Sequence, residues 1–162
     1  TYPNNDVGGK LIKNTINKLN IRKKNNINIL QSMGRYNYHG VIALCKTHGT
    51  KVVCVGNSSS GIKETPFFGC PTVNIGSRQL GRLRASNVID VDYNKKQILS
   101  AIKKCIYDKK FILKCKKTKN PYGGGNSGKL IAKILNTIDL DQEKVLRKKM
   151  TLKGIIKRGW QQ

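Results

Sequence analysis

The chain has 162 residues, with 32 Lys and Arg against 8 Asp and Glu, a net charge of +24 and a pI of about 10.2. That length accommodates one domain of ordinary size, and no apolar run is long enough to cross a bilayer as a helix. Five cysteines at irregular intervals, none in a Cys-x-x-Cys pair, exclude a zinc ribbon or a small disulfide scaffold; an odd number without a signal segment fits a reducing, cytoplasmic compartment.

Residues 8 to 19 place Leu11, Ile12, Ile16 and Leu19 at helical spacing, with Lys and Asn on the opposite face. Asn26 to Leu30 alternates polar and apolar, the pattern of a strand. Tyr36 to Cys45 reads as helix, Val52 to Val55 as strand, Ser59 to Phe68 as helix, Pro71 to Ile75 as strand and Asn87 to Val91 as strand. Two amphipathic helices follow, Lys95 to Ile106 and Ser127 to Ile138, and Asp139 to Lys149 has the composition of a further helix. Strands alternating with helices at this spacing imply an α/β fold in three layers, a parallel sheet covered on both faces. Right-handed crossovers then bring the loops after the strands to one edge.

One such loop stands out. The apolar run Val52-Val53-Cys54-Val55 passes directly into Gly56-Asn57-Ser58-Ser59-Ser60-Gly61 and then into residues able to start a helix. Small residues let backbone N–H groups approach an anion, hydroxyls add donors, and a helix start favours negative charge, so the turn suits a phosphate; an ordinary Ser cap has the same local pattern. Glu64 in the first turn could receive the two hydroxyls of a ribose, or simply compensate the helix dipole. Arg78, after the strand ending at Ile75, brings a guanidinium to the edge where open α/β sheets place ligands.

Taken in order, Gly56 to Glu64, Pro71-Thr72-Val73-Asn74-Ile75-Gly76, Arg78-Gln79, Gly81-Arg82 and Ala85 to Ile89 resemble the UDP-N-acetylglucosamine 2-epimerase family. The Asn-Ser-Ser-Ser-Gly form of the turn is similar to the hydrolysing branch, which releases N-acetylmannosamine and UDP. Tyr2 to Gly8 and Asn120-Pro121-Tyr122-Gly123-Gly124-Gly125-Asn126 agree with it, and the resemblance runs to about Ile138. It implies a Rossmann-like domain, the C-terminal half of a two-domain architecture of the glycosyltransferase type B kind. On that reading residues 1–138 form the UDP-binding domain and 139–162 a C-terminal tail packing on an N-terminal domain. The acid–base carboxylates of relatives lie in that other half or just before Thr1, so this chain is expected to be a fragment that binds without turning substrate over.

Carried over by matched position, Ser58 and Ser59 meet the diphosphate, Glu64 the ribose and Arg78 the nucleotide or its phosphates. Asn4 matches an Asn of the nucleotide site, and Met33 stands where relatives contact uracil through backbone groups. No cofactor and no metal are expected; His39 and His48 read as surface or cap residues without partners at ligand spacing. The implied partner is a UDP-sugar, and the parent protein is expected to be a homo-oligomer. Two departures from the family stand out: Gly124 where Asp is usual, and several extra residues around Thr47-His48-Gly49-Thr50.

The charge alone would suggest nucleic acid. Most of it, however, is Lys mixed with Asn on solvated faces and in runs such as Lys103-Lys104 and Lys109-Lys110, and no aromatic RNA-stacking signature is present. Any nucleic-acid binding is expected to be non-specific and salt-dependent. The alternatives are a parent acting on a UDP-diacetamido sugar, a glycosyltransferase of the same architecture, or a basic RNA-binding module.

Overall fold

Residues 8–20 and 27–138 are described by the computed structural model. The helical periodicity after Gly8 is realised as α1 (Gly9–Asn20). α2 (Gly34–Ala43) starts where Ser32 Oγ accepts from Gly34 N–H at 3.2 Å, and it runs on into a single 3-10 turn, Leu44–Lys46. The residues around His48 then form a tight turn: Thr50 N–H donates to Thr47 O at 3.2 Å, and Gly49 takes φ +80°. Next come β1 (Cys54–Gly56), the short helices α3 (Ser60–Lys63) and α4 (Thr65–Phe68), β2 (Thr72–Ile75) and β3 (Val88–Val91). α5 (Lys95–Tyr107), α6 (Lys109–Lys116) and α7 (Ser127–Thr137) complete the order.

The chain divides into two units, Thr1–Pro121 and Tyr122–Gln162. The first contains a parallel sheet of order β1-β2-β3, with Val55 opposite Val73 and Val73 opposite Ile89. Successive side chains on a strand point to opposite faces, so the register sorts them cleanly. Val73 packs with Ala101, Cys105, Phe111 and Cys115 in the core beneath α5 and α6, joined by Ile75, Ile89 and Val91. Cys54 and Thr72 take the other face under α3, where a Cβ on Gly61 would stand 3.2 Å from Thr72 Cγ2 and 3.6 Å from Cys54 Sγ. Glycine at 61 therefore brings the helix down onto the sheet. The fold is a parallel α/β layer structure of Rossmann-like half-domain type, as expected.

Three expectations change. Residues 27–30, the described part of the strand expected over Asn26 to Leu30, have no regular structure, and Ile27, Ile29 and Leu30 are exposed. Alternation alone makes no strand where no neighbour takes up its hydrogen bonds. The single helix expected over Ser59 to Phe68 is two, because Pro66 has no N–H to give Ile62 O; the chain breaks at Glu64 and restarts with Pro66 in the first turn. Finally, α6 occupies a segment that reads as a Lys run. Its Asp108 accepts from Phe111 N–H at 3.0 Å as N-cap, and the spacing of Phe111 and Cys115 buries one face.

In the second unit α7 follows the expected bounds within a residue, with Leu130, Ile131, Ile134 and Leu135 exposed. Asn4 and the helix expected over Asp139 to Lys149 lie outside the described residues.

Candidate functional site

β1 and β2 are parallel neighbours, so the loops that leave their C-terminal ends share one edge of the sheet. After Gly56 the chain turns through Asn57, Ser58 and Ser59 into α3; Ser58 Oγ accepts from Ser60 N–H at 3.3 Å and Ser58 O from Gly61 N–H at 3.1 Å. After Ile75 the chain turns at Gly76, with φ +73°, and presents Arg78 and Gln79 toward that loop. Arg78 Nη1 donates to Asn57 O at 3.2 Å and the buried Gln79 Nε2 donates to the same oxygen at 2.7 Å. One carbonyl thus ties the guanidinium to the Ser turn across 21 positions of sequence.

These loops enclose a cavity of about 380 Å³, lined among others by Gly56, Ser58, Ser59, Asn74 and Arg78. Its volume lies within the range of small-molecule sites. Two hydroxyls and one guanidinium give it the donors an anion requires, and no Asp or Glu lines it among the described residues. α3 has only four residues, so its dipole is that of a single turn and Arg78 supplies most of the positive potential. A wider groove of about 920 Å³ between β3 and α5 sets Arg84, Lys96 and Lys104 beside Asp90 and Asp92, a mixture that favours neither sign of ligand.

Glu64 is placed differently. It sits at the break between α3 and α4, where its Oε2 lies 2.6 Å from Nε2 of His39 on α2. Beside that pair, Tyr38 hydrogen-bonds Ser60 Oγ. Burial pushes the Tyr38 phenol up to about 12, with nearby Cys54 and Glu64 adding to the effect and the Ser60 bond opposing it. His39, read from sequence as a surface or cap residue, is therefore the partner of Glu64. No local signal announces it, since 25 positions separate the two residues and only the packing of α2 against α4 brings them together.

Of the residues singled out from sequence, Ser58, Ser59 and Arg78 line one cavity. Glu64 is positioned by α2 without being among that cavity's lining residues, and Met33 is the residue immediately before α2, half-buried. Burial pushes the thiols of Cys45, Cys54, Cys70, Cys105 and Cys115 all upward, which disfavours the thiolate form. Among the described residues no group of three His, Cys, Asp or Glu is placed to hold a metal, and no helix is long and apolar enough to cross a membrane.

Fold and site together define a Rossmann-like α/β half domain with a donor-lined cavity at its strand ends. The family model for UDP-N-acetylglucosamine 2-epimerase matches residues 1–136, and the chain belongs to that family. It is 33% identical over 141 residues to a UDP-N,N'-diacetylbacillosamine 2-epimerase (hydrolyzing) of Legionella pneumophila, a match covering 87% of this chain and 34% of that protein. Identity to a GDP/UDP-N,N'-diacetylbacillosamine 2-epimerase (hydrolyzing) of Campylobacter jejuni is 36% over 94 residues, 58% of this chain and 23% of the relative. A UDP-N-acetylglucosamine 2-epimerase of Neisseria meningitidis is 36% identical over 101 residues, 62% of this chain and 24% of that protein. The chain thus spans between about a quarter and a third of the length of these relatives.

Proposed function

We propose that this chain is the UDP-binding C-terminal part of a hydrolysing 2-epimerase acting on UDP-N-acetylglucosamine. The observation that carries the reading is the bond from Arg78 Nη1 to Asn57 O, which sets a guanidinium beside Ser58 and Ser59 at the rim of one cavity. In the reaction the C1–O bond of the sugar breaks with its electron pair going to the diphosphate, a proton leaves C2, and a glycal remains. Water then adds across the double bond, hydroxyl to C1 and proton to C2 on the opposite face, and the free C2-inverted sugar is released. Ser58, Ser59 and Arg78 hold the growing charge on the leaving diphosphate, an electrostatic role that suits preorganised donors. Glu64 receives the ribose hydroxyls, and the proton transfers belong to groups elsewhere in the whole protein. Asn4 and Met33 complete the nucleotide site.

A second substrate has specific support. The Legionella relative, whose match covers most of this chain, is a diacetylbacillosamine epimerase, so a UDP-diacetamido sugar is the alternative for the intact parent. Product analysis of the whole enzyme with both UDP-sugars separates the two.

Calorimetric titration of this chain with UDP tests the site itself. Weak binding is expected, reduced about tenfold or more by Arg78→Ala and by Glu64→Ala, since each removes a charge-assisted contact. No heat at millimolar UDP, or variants indistinguishable from the parent, overturns the assignment.

A further inference from the structure

We infer that Asn74 reads the sugar: its side-chain oxygen accepts an O–H or N–H from the sugar carried on the diphosphate, and the Arg84–Asp90 pair holds the amide in that orientation. The inference rests on the nucleotide-sugar reading above and assigns a specificity residue within it. Asn74 lies in the middle of β2 with only 2% of its surface exposed. Its register partner on β1 is Gly56, which has no side chain, and both residues line the cavity that Ser58 and Arg78 share. A Cβ built on Gly56 meets nothing within 4 Å, so there is open space at that glycine, on the strand beside Asn74.

The amide has one possible orientation. Asn74 Nδ2 donates to Asp90 Oδ1 at 2.6 Å, while both oxygens of Asp90 accept from Arg84 Nε at 3.1 Å. A carboxylate held by a guanidinium is an acceptor only, so the amide must turn its NH2 group toward Asp90. The other end, Oδ1, is then buried with no partner among the described residues. Leaving a buried amide oxygen unpaired is costly, and an aliphatic residue would fill the position without that cost. The missing partner is a donor. A phosphate oxygen would be repelled by Oδ1 and is drawn instead to Arg78 and the two serines, which leaves a hydroxyl or acetamido N–H of the attached sugar to face Asn74.

The test is calorimetry of the 162-residue chain with UDP and with UDP-N-acetylglucosamine, on the parent and on Asn74→Leu and Asp90→Asn variants, each checked for folding by circular dichroism. The parent is expected to bind the UDP-sugar more tightly than UDP. Asn74→Leu should weaken the UDP-sugar about tenfold, the scale of one buried hydrogen bond, and leave UDP within about twofold. Asp90→Asn should weaken the UDP-sugar selectively by a smaller factor, and it serves alone if the leucine variant does not fold; Asp90→Glu should restore most of the loss. Equal loss for both ligands, or an unchanged affinity for the UDP-sugar, overturns the assignment of Asn74 and leaves the nucleotide site standing. A parent that binds neither ligand overturns both.

Discussion

Nε2 of His39 and Oε2 of Glu64 lie 2.6 Å apart, joining α2 to the break between α3 and α4. The imidazole engages one carboxylate oxygen and limits the rotamers of Glu64, so it acts on any ligand of Glu64 as a positioning residue. Replacing His39 by Leu is expected to weaken UDP binding about threefold to tenfold, with Glu64→Ala costing more. Because His39 works through Glu64, the double variant should bind no more weakly than Glu64→Ala alone. Calorimetry on the four proteins checks this, and additive losses would show that His39 acts independently.

Thr65 anchors a buried polar knot under α4. Its hydroxyl donates to Gly61 O at 2.7 Å and accepts from Thr72 Oγ1 at 2.8 Å and from Asn87 Nδ2 at 3.0 Å. Thr65→Val keeps the shape but takes the acceptor from one Asn87 N–H and leaves the Thr72 hydroxyl only Cys70 O at 3.2 Å, so a stability loss of about 1–3 kcal/mol is expected from urea unfolding. Adding Thr72→Val should cost less than its own separate effect, since its bond to Thr65 is already lost.

Gly69 closes α4 in the left-handed region at φ +68°, with its N–H on Pro66 O at 3.1 Å and that of Cys70 on Thr65 O at 3.1 Å. A Cβ there would stand 2.9 Å from Cys115 O and 3.1 Å from Lys116 Cα, both backbone atoms of α6. Gly69→Ala is therefore expected to lower stability by about 1–3 kcal/mol through strain and overpacking. Gly40, inside α2 with nothing within 4 Å of where an added methyl would stand, is the control: Gly40→Ala should raise stability by about 0.4–1 kcal/mol. Thermal melts of both variants decide.

Alkaline pH should destabilise the protein early. The five thiols keep their protons in the folded state above their ordinary 9.0, and Tyr38 keeps its proton up to about 12 against an ordinary 10.0. Above those ordinary values the unfolded chain has released protons that the folded one retains, so stability falls as pH rises. The decline is expected to begin near pH 9 and to steepen between about pH 10 and 12. Tyr38→Phe should flatten the upper part of that curve while leaving the part near pH 9 in place. Urea midpoints measured across this range test both statements.

The three strands and most of the helices were legible because the β-branched runs at Val52, Thr72 and Val88 and the amphipathic runs at Gly9, Lys95 and Ser127 are local patterns that set local backbone preference. The break at Glu64 was also written locally, in Pro66, and is readable once its missing N–H is counted against the turn before it. α6 had an N-cap at Asp108 and an apolar face through Phe111 and Cys115, but its lysines dominate the composition and hide the periodicity. The strand expected over Asn26 to Leu30 fails at its described residues because a strand is a relation between two segments, and alternation reports only one of them.

The same division holds at the site. Sequence by itself determined the family, the parallel α/β layers and the meeting of Ser58, Ser59 and Arg78 at one edge, since a Ser-rich turn after a strand and an Arg after its neighbour are bound to share an edge once the strands are parallel. Tertiary structure alone decided that Asn57 O ties Arg78 to that turn, that His39 holds Glu64, and that Asn74 turns an unpaired oxygen into the interior. Each of those depends on two segments meeting across 16 to 25 positions of chain, and the geometry of such a meeting is set by the packing of whole elements.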